Sequence, residues 1–558
     1  DNGITLSNKG ETDYADGMII KYDIDGNIEW AKVIGGSSYD YINSVAVSPD
    51  GGYIVGGDFK SRTIELDNNL ILKNKARYNL DYYDGMVIKY DIDGNIEWTK
   101  VVGGYIDDYI SSVAVSSDGG YIVGGYFGNS TIELDNGITL TNKGSADSLD
   151  GMVIKYTIND IGNANIKQGK TIGGSSSDYI NSVAVSPDGG YIVGGYFKSS
   201  TIELDNGIIL TNKSYSGYSD GMIIKYSAEG EAEWAKVIGG DTEDRITSVA
   251  VCPDGGYIVG GYFESSTIEL ENGVTLTNKK YSSYYHYNYG MVIKYSAEGK
   301  IEWAKEIGEN DYNYVDSIAV SSDGGYIVVG HFRNRTIESN NGIMVIKYDI
   351  DGNIELVKRI GGDKADQITS VAVSPDGGYI VGGYFYGKTI ELENGITLTN
   401  KGYENGMVIK YNAEGEAEWA KAIGGSGDDQ IQTVTASSDG GYIVGGYFRG
   451  TIELENGITL TNKGSYDVMV IKYDMNGNIE WAKGIGGSDD DEISSVAISP
   501  YGDYIVGGYF SSSTIELDNG EVLTNKESSN YYEDGMVLKI QAGMGVPEIQ
   551  ELEIENQR

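Results

Sequence analysis

Ile180-Asn-Ser-Val-Ala-Val-Ser-Pro-Asp-Gly-Gly-Tyr-Ile-Val-Gly-Gly-Tyr-Phe197 sets two short runs of β-branched and aromatic residues around a Pro-Asp-Gly-Gly turn. Glycine supplies the positive φ that such a turn needs. The stretch is one copy of a repeat. Its Tyr-Ile-Val string recurs with Tyr at 53, 121, 191, 257, 326, 379, 442 and 504, at spacings of 53 to 70 residues. A full unit continues through Thr201-Ile-Glu-Leu-Asp-Asn-Gly-Ile-Ile-Leu210 and Gly221-Met-Ile-Ile-Lys-Tyr226, and closes on Glu233-Trp-Ala-Lys-Val-Ile-Gly-Gly240.

Each piece reads as strand. Ser-Val-Ala-Val (A) and Tyr-Ile-Val-Gly-Gly-Tyr-Phe (B) form one hairpin. Met-Val-Ile-Lys-Tyr (C) and Ile-Glu-Trp-Ala-Lys-Val-Ile (D) form another across Asp-Ile-Asp-Gly-Asn or Ser-Ala-Glu-Gly. A four-stranded meander cannot bury both faces alone, and radial stacking of its copies solves that problem. The expected fold is therefore all-β, a β-propeller of eight four-stranded blades. Between B and C lies an insert whose Asn-Gly separates two alternating apolar stretches (Ile132, Leu134 and Ile138, Leu140), the mark of a β-hairpin. Seven units carry it. The unit around Tyr326 keeps only Thr336-Ile-Glu-Ser-Asn-Asn-Gly342.

Strand C is present nine times against eight copies of A, B and D, so one copy (residues 18–22 or 536–540) is redundant. The expected propeller spans residues 1–542, its ring closed by the N-terminal D strand (27–34) against the pair within 494–510. Residues 543–558 lack repeat character and read as a linker to a further domain downstream. The opening Asp1-Asn2-Gly3-Ile4-Thr5-Leu6 reappears inside a repeat at 135–140, which reads as a piece of a longer chain.

Composition bounds the function. The 558 residues include 41 Lys and Arg against 83 Asp and Glu, a formal charge of −42, so nucleic acid and anionic membrane surfaces are poor partners. Two His and one Cys argue against imidazole metal sites, repeated His catalysis and disulfide scaffolding. No apolar run is long enough to span a bilayer as a helix.

The blocks Trp-Ala-Lys-x-Ile-Gly-Gly-Ser, then Ser-Val-Ala-Val-Ser-x-Asp-Gly-Gly-Tyr-Ile-Val-Gly-Gly-Tyr-Phe, then Met-Val-Ile-Lys-Tyr-Asp-x-Asp-Gly-Asn closely resemble the bacterial SBBP-type β-propeller repeat, over roughly residues 17–541. The resemblance implies a secreted or surface-exposed bacterial protein, of a kind usually without an assigned enzyme activity. The insert hairpin departs from the simple pattern.

Candidate sites follow from the repeats. The six tryptophans (Trp30, Trp98, Trp234, Trp303, Trp419, Trp481) share one position on strand D, where packing of blade on blade is expected. Asp23, Asp25 and Asn27, with Asp91, Asp93 and Asn95, look like part of an oxygen-donor calcium loop, but sister copies reading Ser-Ala-Glu-Gly drop the first donor. Calcium is thus possible but not required, and no cofactor is expected. Asp40, Asp108, Asp178, Asp244, Asp366, Asp429 and Asp491, with Asn313, precede strand A and read as acceptors tying the D–A loop to the next strand. The clearest break in symmetry is His331-Phe-Arg333-Asn-Arg335, a potential anion clamp or drift on an exposed strand end.

The B–C inserts and D–A loops should share one face, and its variable part is tyrosine-rich: Tyr78, Tyr82, Tyr83, Tyr215, Tyr218, Tyr281, Tyr284, Tyr285, Tyr287, Tyr289, Tyr531 and Tyr532. Tyrosine gives large contact area with few torsions to freeze. The reading is a non-enzymatic binding or adhesion scaffold at the bacterial cell surface or outside the cell. It would be a monomeric ring within a longer chain, taking a glycan or protein ligand on that face. The alternative is a propeller hydrolase or lyase using carboxylates of the same face.

Overall fold

The computed structural model describes residues 5–7, 16–22, 28–67, 70–76, 82–116, 119–135, 137–145, 148–158, 164–215, 217–279, 281, 287–308, 312–321, 323–333, 342–361, 366–437, 439–498, 504–510, 514–516, 522–524 and 535–540. Seven four-stranded antiparallel sheets follow one another along the chain, each in the order A-B-C-D. They span residues 40–102, 108–172, 178–238, 244–307, 312–360, 367–423 and 430–485, here the first to seventh blades. Strand A of each blade lies against strand A of the next, so the A strands are innermost and the D strands form the rim.

The first blade shows the register. Asp40–Val47 pairs with Tyr53–Phe59, which pairs with Asp84–Tyr90, which pairs with Ile96–Val102. Asp40, Phe59, Asp84 and Val102 therefore stand at one edge, which carries the D–A and B–C connections. The A–B and C–D turns occupy the opposite edge.

The expectation of eight four-stranded blades is overturned: seven are found. The remaining sheet has five strands, ordered Ile28–Ile34, Asp16–Tyr22, Gly535–Ile540, Tyr504–Phe510 and Asp491–Ile498. Its extra member is the redundant copy of C. Asp16–Tyr22 and Gly535–Ile540 lie parallel, and both pair with Tyr504–Phe510 in the same register, Gly17 and Gly535 each opposite Tyr509. Two near-identical strands claim one position, and the sheet widens to hold both. Residues 543–558 lie outside the described residues.

Packing between blades explains the recurrent side chains. Trp98 of the first blade stacks on Tyr156 of the second at 5.7 Å, and Trp30, Trp234, Trp303 and Trp419 repeat this on Tyr90, Tyr295, Tyr348 and Tyr473. Where Gln168 or Leu356 replaces the tryptophan, the next blade's own tyrosines close on each other instead: Tyr191 on Tyr226 and Tyr379 on Tyr411, both at 4.9 Å. The glycine of the C–D turn is fixed twice over. Gly94 has φ +81°, and a Cβ there would lie 2.4 Å from the Trp30 ring. The Asp or Glu positions around it are free to vary, as the Ser-Ala-Glu-Gly copies do.

Strand C buries a lysine in most blades. Lys89, Lys225, Lys294, Lys410 and Lys472 have at most 1% of the side chain exposed. Each pairs with the aspartate of its A–B turn, and all but Lys472 lie within 3.0 Å of a glutamate on strand D. Burying such a charge is tolerable only with its partners in place.

Candidate binding face

At the edge bearing the D–A loops, one device recurs at the seams. Asp108 opens strand A of the second blade and is fully buried. Its backbone N–H donates to the Tyr83 carbonyl of the first blade (2.7 Å), and its carboxylate accepts from Gly104 N–H, Gly128 N–H and Asn129 Nδ2. Asp40, Asp178 and Asp244 do the same with Ser61, Ser199 and Ser265 in the asparagine's place. The expected acceptor role of these aspartates is what the structure displays. The following serines act across the seam as well: Ser44 Oγ accepts from Val113 N–H, and Ser182 Oγ from Val249 N–H.

Beside Asp108, Asp178 and Asp244 sits a second carboxyl that sequence reading missed. Asp84, Asp150, Asp220 and Asp467 open strand C, are buried, and accept from Lys75, Lys143, Lys213 and Lys463 backbone N–H through one oxygen. Their other oxygen has no hydrogen-bond partner. The first glycine of the Ile-Gly-Gly motif makes room for it: a Cβ at Gly103 would lie 2.1 Å from Asp84 Oδ1. Burial pushes Asp84, Asp150 and Asp220 up to about 7 and Asp467 to about 6. Asp40 rises to about 8 for the same reason, against the pull of its Ser61 hydrogen bond. Each of the strand C aspartates thus accepts one backbone N–H from the insert of its own blade and is buried away from solvent.

Nearer the axis runs an aromatic collar. The second residue of strand A stands opposite the sixth of strand B: Tyr109 opposite Tyr126, Tyr179 opposite Tyr196 and Arg245 opposite Tyr262; in the fifth blade the third residue, Tyr314, stands opposite His331. Tyr41, Tyr83, Tyr109, Tyr126, Tyr179 and Tyr196 follow in contact, with centroid spacings of 5.9, 5.5, 4.9, 5.1 and 4.7 Å. The Arg245 guanidinium sits 4.2 Å over Tyr196, and Lys60 lies over Tyr39 and Tyr83. Beyond Arg245, Tyr262 meets Tyr314, which stacks on His331 at 4.7 Å. His331 Nδ1 is 2.7 Å from Asp316. All of these collar rings are half-buried. Partial burial raises the Tyr126 hydroxyl to about 12, so it stays a neutral donor. The sequence signal was Asp-Tyr-Ile at strand A and Gly-Gly-Tyr-Phe on strand B, both read only as strand.

The predicted tyrosines divide. Tyr83 belongs to the collar, and its N–H donates to Asp107 (2.9 Å). Tyr215 (68% exposed) and Tyr281 (40%) come together at Asp241: the Tyr215 N–H donates to its carbonyl, and the Tyr281 hydroxyl to its carboxylate at 3.4 Å. Tyr82, Tyr218 and Tyr287 are half-buried, with backbone carbonyls accepting from Asn74, Asn212 and Asn278. Tyr289 is buried inside strand C. Tyr78, Tyr284, Tyr285, Tyr531 and Tyr532 lie outside the described residues, as do Asp23, Asp25, Asn27 and Arg335. Asp91 accepts from the backbone and side-chain nitrogens of Asn95, a closed local turn, while Asp93 is exposed. Among the described residues no cluster of three or more Asp, Glu, His or Cys forms a metal site.

Comparison with known proteins adds one family match. The WD domain, G-beta repeat model matches residues 166–204, from strand D of the second blade to the insert of the third. An uncharacterized WD repeat-containing protein, L264, of Acanthamoeba polyphaga mimivirus is 24% identical over 475 residues, 71% of this chain and 33% of its own. Regulatory protein FlaEY of Caulobacter vibrioides is 22% identical over 40% of this chain and 26% of its own. The chain thus spans about a third and a quarter of the length of these relatives. Among solved structures, Sqt1 from Chaetomium thermophilum aligns with a TM-score of 0.44 at 12% identity, covering 90% of this chain and 97% of that one. The Neurospora crassa Pan2 WD40 domain gives 0.35 at 10%, covering 71% and 85%. A β-propeller of repeated blades carrying a WD-repeat match is consistent with a non-enzymatic binding scaffold, and WD40 propellers generally bind protein partners. No described helix is long and apolar enough to cross a membrane.

Proposed function

We propose that this chain is a non-enzymatic binding scaffold of the SBBP type, secreted or displayed on a bacterial surface, which takes a protein or glycan on the insert-bearing face. The observation that carries the reading is the collar: half-buried tyrosine rings in continuous contact around the inner ends of the A and B strands. Such rings offer flat apolar faces already packed against one another, so little side-chain entropy is lost on contact. The net charge of −42 favours neutral sugars or basic protein patches over polyanions. Tyr82, Tyr83, Tyr215, Tyr218, Tyr281, Tyr284, Tyr285, Tyr287, Tyr531 and Tyr532 are proposed as outer contacts on the same face.

The test uses two variants: Tyr109→Ser with Tyr126→Ser and Tyr179→Ser, and Tyr215→Ser with Tyr281→Ser. Both are screened with the wild type against glycans and cell-surface proteins. The proposal expects a wild-type ligand whose affinity falls most in the collar variant. A ligand held equally by both folded variants would overturn the site.

A further inference from the structure

The fifth blade lacks its insert: only residues 334–341 separate strand B (Tyr326–Arg333) from strand C (Gly342–Tyr348). In the other six blades the second insert strand lies against that blade's own strand D, as Ile71–Lys73 does beside Ile96–Val102 and Thr139–Thr141 beside Ala164–Ile172. The cover is close. A Cβ on Gly169 of strand D would meet Leu134 at 2.7 Å and Leu140 at 3.1 Å.

Strand D of the fifth blade, Ile354–Ile360, has no such cover among the described residues. Val357 faces Ile346 as Gly169 faces Ile154, and it is 42% exposed; Ile354 is 56% exposed. The groove between this strand and the next blade's insert measures about 470 Å³. The corresponding groove one blade on, walled by Thr397–Thr399, measures about 190 Å³.

One second insert strand is left over elsewhere. Thr5–Ser7 lies beside strand D Ile28–Ile34, as the pattern requires. Val522–Thr524 is another copy of the same element, and it pairs with Thr514–Glu516 on one side and Thr5–Ser7 on the other. Among the described residues it covers no strand D. Among the described residues, one cover strand thus stands without a rim strand and one rim strand without a cover.

We propose that the hairpin Thr514–Glu516/Val522–Thr524 of one copy docks on strand Ile354–Ile360 of a second copy. The rim strand offers exposed Ile354 and Val357. The hairpin offers the apolar alternation that sister blades already use there, with Leu523 at the position of Leu140. The two surfaces differ, so the contact is head-to-tail and propagates into open chains of molecules. Its small area makes it a reversible association.

The test measures the mass of the full chain by sedimentation and light scattering over a range of concentrations. The wild type should pass from the 60.2 kDa single chain to species larger than dimers. Val357→Lys removes the acceptor and Leu523→Lys the donor. Each alone should stay a single chain, with association weakened by about tenfold or more. Mixed, they should form a 1:1 dimer that grows no further, since one retains the donor and the other the acceptor. Val357→Lys alters an exposed side chain, so an unchanged unfolding midpoint shows that it folds. A wild type that remains a single chain throughout, or a Val357→Lys variant that associates as the wild type does, would overturn the proposal.

Discussion

Asp84→Asn is a sharp probe of how the blades are held. Asp84 is fully buried, uses one oxygen to accept the Lys75 N–H at 2.5 Å, and leaves the other without a partner beside the Asp108 carboxyl. Burial lifts its pKa from 3.8 to about 7 in the folded protein. The native state therefore favours the protonated form. The stability contributed by this group is complete below pH 4 and drains away as pH rises through about 7. A rise of that size corresponds to about 4 kcal/mol; allowing for local relaxation, about 2–4 kcal/mol is lost by pH 8. Asparagine removes the charge and keeps the acceptor. The sixth blade already carries Asn405 at this position, where its oxygen can accept from Lys401 N–H and its nitrogen donate to Asn400 Oδ1 and the Glu404 carbonyl. The variant should unfold at a higher urea concentration than the wild type at pH 8 and at nearly the same concentration at pH 4. Equal midpoints at both pH values, or a loss of stability at pH 8, would show that the buried carboxyl carries no such penalty.

Four shorter expectations accompany it. Trp98→Ala removes a ring packed on Tyr121 and Tyr156 of the next blade and should destabilise by about 3–5 kcal/mol in denaturant titration. Gly57→Ala places a Cβ 1.9 Å from the Tyr41 carbonyl oxygen, so the A–B hairpin must open; a soluble variant with an unchanged midpoint would refute the contact. Calcium should leave thermal unfolding unmoved, because Asp91 is already bound by Asn95; a large rise in Tm reversed by chelator would contradict this. We propose that residues 1–542 form one unit closed by the N-terminal strands, so deleting residues 1–36 should cause aggregation or a marked fall in unfolding temperature.

Much of the fold was legible because its determinants are local. Pro-Asp-Gly-Gly, Asp-Gly-Asn and the insert's Asn-Gly each encode a turn within a few residues, and the strands between them follow. The tryptophan role was legible too, since one residue type kept at one register has little to do except pack. What escaped involves partners a repeat away. Asp84 looks like the first residue of strand C until the Gly103 that makes room for it, and Asp108 of the next blade, are set beside it. The collar escaped because Tyr109 and Tyr126 sit on strands whose alternation already accounted for them. The five-stranded sheet escaped for a different reason: two copies of C with nearly one sequence give no local signal of which should enter, and both do.

The way one blade grips the next has a bearing on how the gene can change. Asp108 holds the preceding Tyr83 through its main-chain carbonyl, and Trp98 rests on Tyr121, the tyrosine of the Tyr-Ile-Val string that every unit carries. Most joints are therefore written in parts that the units share, and the two without tryptophan, at Gln168 and Leu356, are closed by tyrosines of the next unit. Unequal recombination that adds or drops one whole unit leaves every remaining joint chemically intact and alters only the curvature needed to complete the circle. Copy number is thus a variable that inheritance can explore without first inventing a new fit between neighbours.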